Sequence, residues 1–201
     1  MDNQKFLCAG CGNVPLPKFI NIDKYYYPGS THPGMNLEDG KTWNIEYPDS
    51  PWLYGDMVKL DFEDGYFDKV IAVHALEHLS MNDGNRAIGE MFRVLRKGGI
   101  VEIELPDLTK ACQLFLNAHI STEKNNADWF RIMGLLYGSQ GAEGEGQFHL
   151  CGYSKEYLKF RMTEHGFIDI EEIPVGFGHG TRIGAGHGEP EFDFRLRGVK
   201  A

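Results

Sequence analysis

Glycine and acidic side chains near the start of the chain have the types and spacing that suit binding of a nucleoside. Gly10, Cys11 and Gly12 follow a short apolar run at 6–9, and Asp23 ends a second such run. Glycine lets a ligand approach the backbone closely, and a carboxylate accepts hydrogen bonds from ribose hydroxyls. We therefore expect these residues to contact a nucleotide-like cofactor.

The residues after Gly12 argue against a dinucleotide. The NAD fingerprint needs a third glycine where a helix begins, but positions 13–17 read Asn-Val-Pro-Leu-Pro. Pro15 and Pro17 also exclude a regular helix there. A nucleotide-dependent oxidoreductase is therefore the least favoured of the enzyme classes considered.

Cysteine spacing gives a weak indication of a metal site. Cys8 and Cys11 are spaced C-x-x-C, but no second pair follows, and Cys112 and Cys151 are isolated. A structural zinc site normally shows four ligands at recognisable spacing. We therefore expect reduced cysteines, one on a strand and one in a tight turn, and no metal.

Strand and helix patterns alternate through the middle of the chain, which predicts an α/β fold with a doubly wound, mostly parallel Rossmann-like sheet. In such sheets, ligands bind beyond the carboxyl ends of the strands. An antiparallel strand at the C-terminus is expected to have one face in water, because Phe192, Phe194 and Leu196 alternate with Asp193, Arg195 and Arg197. Strands are predicted at 6–9, 19–23, 43–46, 53–56, 67–73, 100–105, 167–173 and 191–199, and helices at 83–97, 107–117, 128–137 and 154–165.

Length and composition indicate a single domain over residues 1–201. The net charge of -9 disfavours a nucleic-acid partner, because phosphate binding needs clustered basic residues. No apolar run approaches the ~20 residues that cross a bilayer, and the first residues are polar. We therefore expect a cytoplasmic protein with no membrane partner.

Longer motifs carry a resemblance to a known family. The chain has Gly55-Asp56, then a strand that leads into His74-Ala75-Leu76-Glu77-His78-Leu79, then a helix pattern that ends in Arg-Val-Leu-Arg-Lys-Gly-Gly at 93–99. In this order, after the glycine loop and Asn-Ile-Asp at 21–23, the motifs resemble class I S-adenosylmethionine-dependent methyltransferases. The segments 147–154 and 164–167 further resemble a poorly characterised subgroup of predicted methyltransferases.

The resemblance implies S-adenosylmethionine as the cofactor and assigns roles by matching position. Gly10 and Gly12 would pack against its methionine part, Asp23 would hold the ribose, and Asp56 with the Met57 backbone would meet the adenine. His74, just past a central strand, would face the cofactor or the acceptor. If the acceptor is a hydroxyl or an amine, the candidate bases are, in order, His74, His149 and Glu104.

The chain also departs from the family pattern. It lacks helices before the first strand and the helix after the glycine loop, so the cofactor must be covered in another way. Candidates for the cover are the segments 24–52, 138–149 and 176–190, or another subunit of a homo-oligomer. Segment 176–190, with His179, Arg182 and His187, is a lid, a metal loop or an inert connection. Glu102 and Glu104 indicate that one face of their strand is polar.

Two functions remain open from the sequence. The first is methyl transfer from S-adenosylmethionine to an unidentified small-molecule acceptor, with His74, His149 and Glu104 as catalytic candidates. The second is an accessory protein that binds S-adenosylmethionine or a nucleoside without transfer activity.

Overall fold

A computed structural model of the protein describes residues 4–12, 16–24, 41–43, 51–120, 126–138, 148–175 and 191–201. One eight-stranded sheet carries the fold. Its strands are β1 (Phe6–Ala9), β2 (Ile20–Asp23), β3 (Lys41–Trp43), β4 (Pro51–Tyr54), β5 (Phe67–Val73), β6 (Leu95–Pro106), β7 (Phe167–Glu172) and β8 (Asp193–Lys200). The helices are α1 (Met81–Val94), α2 (Leu108–Ile120), α3 (Asn126–Tyr137) and α4 (Lys155–Glu164), with a short 3-10 helix at Leu76–His78.

The strand order across the sheet is β3-β4-β2-β1-β5-β6-β8-β7. Strands β4, β2, β1, β5 and β6 run parallel, whereas β3 pairs antiparallel with β4 at one edge. At the other edge, β8 pairs antiparallel with both β6 and β7. The doubly wound, mostly parallel sheet with an antiparallel C-terminal strand is thus confirmed.

Two apolar clusters pack on opposite faces of the central strands. Leu7, Val70 and Ala72 belong to the large cluster, together with apolar side chains of α1 and α4. The alternate residues Cys8 and Ile71 belong to a cluster of five buried side chains among the described residues. Because side chains alternate along a strand, the two sets face opposite ways.

Helix α1 is shorter at its C-terminus than the sequence pattern predicted. The predicted helix ran to Lys97, but the helix ends at Val94, and Leu95 is extended with φ -72° and ψ 139°. Leu95 is fully buried and pairs with Phe67 in the sheet. Pairing and burial of Leu95 outweigh one further helical turn, so β6 begins five residues before its predicted start at Ile100.

The expectation that β8 has one face in water is wrong. Asp193 and Arg195 are 3% and 0% exposed, as buried as Phe194 on the other face. The reason is tertiary: β8 lies inside the sheet beside β6, whose Glu102 and Glu104 share its polar face. Arg195 donates to Glu102 at 2.5 Å and to Glu104 at 3.3 Å, so opposite charges neutralise each other in the interior. The polar face predicted for β6 is confirmed, but it is buried.

Side chains cap the helices that were predicted to start at 107 and 154. Asp107 accepts a hydrogen bond from the Thr109 N–H at 2.9 Å, and Ser154 accepts one from the Tyr157 N–H at 3.2 Å. Between β1 and β2, the described residues 10–12 and 16–19 contain no helix, as predicted. In the part of the chain that the structure describes, no helix has the length and hydropathy needed to cross a membrane.

Several segments singled out from the sequence lie outside the described residues. They are 13–15, most of 24–52, residues 139–147 and the glycine-rich segment 176–190 with His179, Arg182 and His187. The strand predicted at 43–46 falls partly among them, and the structure places β3 slightly earlier, at Lys41–Trp43.

Candidate active site

The glycine loop and the acidic residue of β2 are joined directly. The Gly10 and Cys11 N–H groups donate to the Ile22 carbonyl at 2.9 and 3.0 Å. The Gly12 N–H donates to Asp23 Oδ2 at 2.7 Å, and Asp23 is 9% exposed. Gly10 and Gly12 have positive φ values of 72° and 56°. The carboxylate therefore fixes the loop at the carboxyl ends of β1 and β2, the edge where such sheets bind ligands.

Gly10 also allows close packing within the protein. A Cβ atom at this position would lie 2.5 Å from Ala75 Cβ and 3.0 Å from Met57 Cε. The loop thus packs against the segment that follows β5 and against Met57, which is 7% exposed. Contact of Gly10 with the methionine part of a cofactor stays a prediction.

The Gly10→Ala variant is expected to lose about 1–3 kcal/mol more unfolding free energy than Gly65→Ala, because it adds a steric clash. Both glycines have φ of 72°, so the backbone strain is matched, but the nearest atom to a Cβ on Gly65 lies 3.7 Å away. Urea denaturation of the two variants measures the difference. Equal losses would show that the Ala75 contact relaxes without cost.

Asp56 is bound on both sides by groups of the protein. Its Oδ1 accepts from the Val58 N–H at 3.0 Å and its Oδ2 accepts from Lys24 Nζ at 2.8 Å. Burial alone would raise the pKa of Asp56, but the Lys24 ammonium and the Val58 N–H hold it below its usual value. The carboxylate caps the turn at 56–59, so the predicted contact with adenine would have to share oxygens that are already hydrogen-bonded.

His74 lies directly after β5 and is surrounded by carboxylates. Its φ of 48° is in the left-handed region, and its N–H donates to the Glu104 carbonyl at 3.0 Å. The imidazole Nδ1 lies 3.5 Å from Glu77 Oε1, while Nε2 lies 3.2 Å from Asp193 Oδ2 and 3.8 Å from Glu104 Oε1. These are ion-pair distances rather than well-aligned hydrogen bonds.

The surrounding charges control protonation of His74. Burial would lower its pKa, but Asp193 and Glu77 raise it from 6.5 to about 10. The imidazole is therefore a cation at neutral pH and has no lone pair with which to accept a proton. His74 was predicted as the first of the three candidate bases, but in this environment it is the least able to accept a proton.

Glu77 connects the histidines of the site. Its carboxylate is fully buried, and its Oε1 lies 3.5 Å from His74 Nδ1 and 4.0 Å from His149 Nε2. Burial would raise the pKa of Glu77, but His74, His78 and His149 lower it to about 2. Burial also lowers the pKa of His149, which is consequently neutral at pH 7. Glu77 is thus an anion between a cationic and a neutral imidazole.

The contribution of His74 and Glu77 to the stability of the fold is expected to be largest between about pH 4.5 and 6.5. Because the folded-state pKa of His74 lies above 6.5, its stabilisation is complete below pH 6.5 and is lost as the pH rises towards about 10. Because the pKa of Glu77 lies below 4.5, its stabilisation is present above pH 4.5 and is lost as the pH falls towards about 2. Urea denaturation across pH measures the profile, and His74→Gln should flatten the alkaline side; an unchanged alkaline side would contradict the assignment.

Residues separated widely in sequence meet at this edge of the sheet. Of the three candidate catalytic residues, His74 and His149 lie beside Glu77, and Glu104 lies beside His74. Glu77 and Asp193 were missed as site residues. Glu77 stands within the quoted Ala-Leu-Glu-His-Leu motif, three residues after His74, and that spacing could have indicated it. Asp193 gave no such signal, because its strand pattern indicated a solvent-facing side chain.

The sequence and the fold agree with one family of enzymes. Residues 7–103 match the family model described as a methyltransferase domain. This match and the fold are consistent with a class I S-adenosylmethionine-dependent methyltransferase. The match agrees with S-adenosylmethionine as the methyl donor, which the resemblance implied.

Individual relatives are distant. A demethylmenaquinone methyltransferase of Staphylococcus aureus is 27% identical over 178 residues, which cover 82% of this chain and 67% of the relative. A possible histamine N-methyltransferase of Thermotoga maritima is 17% identical with a TM-score of 0.53, covering 100% of this chain and 84% of the other. An S-adenosylmethionine-dependent methyltransferase of Archaeoglobus fulgidus is 16% identical with a TM-score of 0.54, covering 98% and 86%. At these identities the solved structures establish the fold alone.

Proposed function

We propose that this methyltransferase transfers the methyl group of S-adenosylmethionine to a small-molecule acceptor bound at the carboxyl ends of β5 and β6. A linked polar cluster carries the proposal: His74 and His149 lie against the buried Glu77 carboxylate, and Glu104 lies against the other side of the His74 ring. A polar cluster of this kind is costly in a protein interior, and groups of perturbed pKa at the ligand-binding edge of a sheet are typical of active sites.

The glycine loop and β2 would hold the cofactor. Gly10, Cys11 and Gly12 would lie along its methionine part, and the Asp23 carboxylate would accept from the ribose hydroxyls. The bond between Gly12 and Asp23 supports this placement, because it fixes the loop and the carboxylate relative to each other. Asp56 and the Met57 backbone would meet the adenine, with Lys24 sharing the Asp56 carboxylate.

His149 is the best of the three candidate bases. Its imidazole is neutral because burial lowers its pKa, whereas His74 is cationic and Glu104 pairs with Arg195. His149 would accept a proton from an acceptor hydroxyl or amine, with Glu77 at 4.0 Å to stabilise the imidazolium that forms. The transfer itself is an in-line displacement, to which positioning of the two reactants contributes most.

Charge supports a small or cationic acceptor. The chain has a net charge of -9, and the carboxylates of Glu77, Glu104 and Asp193 surround one imidazolium. The demethylmenaquinone and possible histamine methyltransferases among its relatives have small molecules in their names. Absence of a nucleic-acid partner, a cytoplasmic location and assembly into a homo-oligomer remain predictions from the sequence.

One observation favours the second candidate function, a binding protein without transfer activity. Both Asp56 oxygens and one Asp23 oxygen already accept hydrogen bonds from the protein, which leaves fewer acceptors for the cofactor. Formation of S-adenosylhomocysteine with any acceptor would exclude this function.

A binding assay followed by a turnover assay tests the proposal. Isothermal titration should show that one S-adenosylmethionine binds per chain. Incubation with a panel of small amines, phenols and quinols should then yield S-adenosylhomocysteine above the no-acceptor background. Absence of binding at millimolar S-adenosylmethionine or S-adenosylhomocysteine would overturn the proposal, and binding without turnover on any acceptor would favour the accessory function.

A further inference from the structure

Two histidines and a carboxylate, of which Glu77 and His149 also belong to the proposed acceptor site, lie together in an arrangement that suits a metal ion. One potential ligand atom from each of Glu77, His78 and His149 lies within 4.8 Å of the other two. Glu77 and His78 belong to the 3-10 helix after β5, and His149 is 71 positions further along the chain than His78. The arrangement is therefore a product of the tertiary structure.

Hydrogen bonds fix the two segments against each other. The Leu150 and Cys151 N–H groups donate to the Glu77 carbonyl at 2.7 and 3.2 Å, and His78 Nδ1 lies 3.0 Å from the Phe148 carbonyl oxygen. Ligand positions held by backbone hydrogen bonds lose little entropy when an ion binds.

Contacts with backbone carbonyls determine the tautomers of the His78 and His149 imidazoles. His78 Nδ1 faces the Phe148 carbonyl at 3.0 Å, and His149 Nδ1 faces the Leu135 carbonyl at 3.1 Å. A carbonyl oxygen can only accept, so each Nδ1 carries the hydrogen and each neutral ring presents its Nε2 lone pair. Donation of Nδ1–H to a backbone carbonyl is the usual support for a histidine that binds metal through Nε2.

The carboxylate supplies a third ligand. Glu77 is 2% exposed, and neither of its side-chain oxygens has a hydrogen-bond partner among the described residues. His74 lies at 3.5 Å on one side and His149 Nε2 at 4.0 Å on another. The His74 imidazolium offsets part of the cost of burying this carboxylate, and its oxygens still have the lone pairs that a metal ion needs.

The geometry points to a divalent metal site of Glu77, His78 and His149, with Zn²⁺ as the ion it would take. Two imidazole nitrogens and one carboxylate oxygen are the ligand set of catalytic zinc, which keeps a fourth position open. Mg²⁺ and Ca²⁺ prefer oxygen ligands throughout. Ligands bound to one zinc ion lie ~3.4 Å apart, so the three side chains need to close by about 1 Å.

A neighbouring cluster of three side chains is less suitable for binding a metal ion. One ligand atom from each of His74, Glu104 and Asp193 also lies within 4.8 Å of the others. However, His74 has Glu77 beside Nδ1 and Asp193 beside Nε2, so both nitrogens face acceptors and carry hydrogens. An imidazole in that state has no lone pair for a metal.

A bound ion would also affect the proposed reaction. A hydroxyl bound to Zn²⁺ loses its proton more readily, so the ion would take over the role proposed for His149 when it is bound. The site is nevertheless independent of the proposed function, because the three ligands can bind zinc whether or not methyl transfer occurs.

Metal binding by the full chain tests the inference without any activity assay. Protein stripped with a chelator should bind one Zn²⁺ in isothermal titration, and Co²⁺ in its place should give the visible absorption of a four-coordinate site. Glu77→Gln, His78→Gln and His149→Gln should each weaken binding at least about tenfold. Circular dichroism identifies any variant that fails to fold, and the remaining ligand variants then decide the result.

Two control variants separate this site from others. His165→Gln, whose histidine instead bonds Asn85 Oδ1 at 2.8 Å, should bind zinc like the parent protein. The double variant Cys8→Ser with Cys11→Ser should also bind zinc unchanged. Absence of zinc binding, or binding that is lost in the cysteine variant and retained in the three ligand variants, would overturn the inference. Zinc binding without S-adenosylmethionine binding would refute the proposed function alone.

Discussion

Replacement of Asp23 by alanine is expected to weaken S-adenosylmethionine binding about 10- to 100-fold. The change removes the acceptor of the Gly12 N–H bond at 2.7 Å and, in our proposal, the acceptor of the ribose hydroxyls. Hydrogen bonds to a charged group contribute about 1.5–3 kcal/mol, which corresponds to this loss of affinity. Isothermal titration of the folded variant measures it directly.

Two further variants make the Asp23 result interpretable. Asp23→Asn keeps one oxygen for the Gly12 N–H and should lose less affinity than Asp23→Ala. Asp68→Asn, whose carboxylate pairs with Arg96 at the opposite end of β5, should bind S-adenosylmethionine like the parent protein. Unchanged affinity in Asp23→Ala would show that this carboxylate serves the loop and not the cofactor.

Replacement of Arg195 by leucine is expected to lower the free energy of unfolding by about 3–5 kcal/mol, the cost of leaving buried charges without a partner. Arg195 is 0% exposed and pairs with Glu102 at 2.5 Å and Glu104 at 3.3 Å, which are themselves buried. In the variant, Glu104 loses this cation, whereas Glu102 retains Lys69 and Arg197. Chemical denaturation gives the loss.

Arg197 provides the matched control. It lies two residues along the same strand and pairs with Glu102 at 2.8 Å, but its side chain is 39% exposed. Arg197→Leu should therefore cost about 1 kcal/mol or less, because water screens and replaces the lost charge. Similar losses in the two variants would show that burial does not control the strength of these ion pairs.

The local sequence was sufficient for most of the fold. The Val-Ile-Ala-Val run at 70–73, the helical spacing of Ala87, Ile88 and Met91, and the caps at Asp107 and Ser154 each identify an element through short-range physics. Alternation of such elements then restricts the topology to a mostly parallel sheet. The match to the methyltransferase family model includes the same central segment, since it spans residues 7–103.

The sequence also located the edge of the sheet at which the site lies, but not how its side chains meet. His74, Glu104 and His149 were candidates because of their residue types and positions. That Glu77 lies between His74 and His149, and that His74 is consequently a cation, depends on distances between segments that no local pattern contains.

The burial of β8 shows most clearly what only the tertiary structure decided. Alternating polar residues are equally compatible with a water-exposed face and with a face that meets charges on a neighbouring strand. The polar face of β8 meets charges because β8 lies between β6 and β7 in the sheet, which places Arg195 beside Glu102 and Glu104. Periodicity in the sequence determines which side chains share a face, whereas strand order determines what that face contacts.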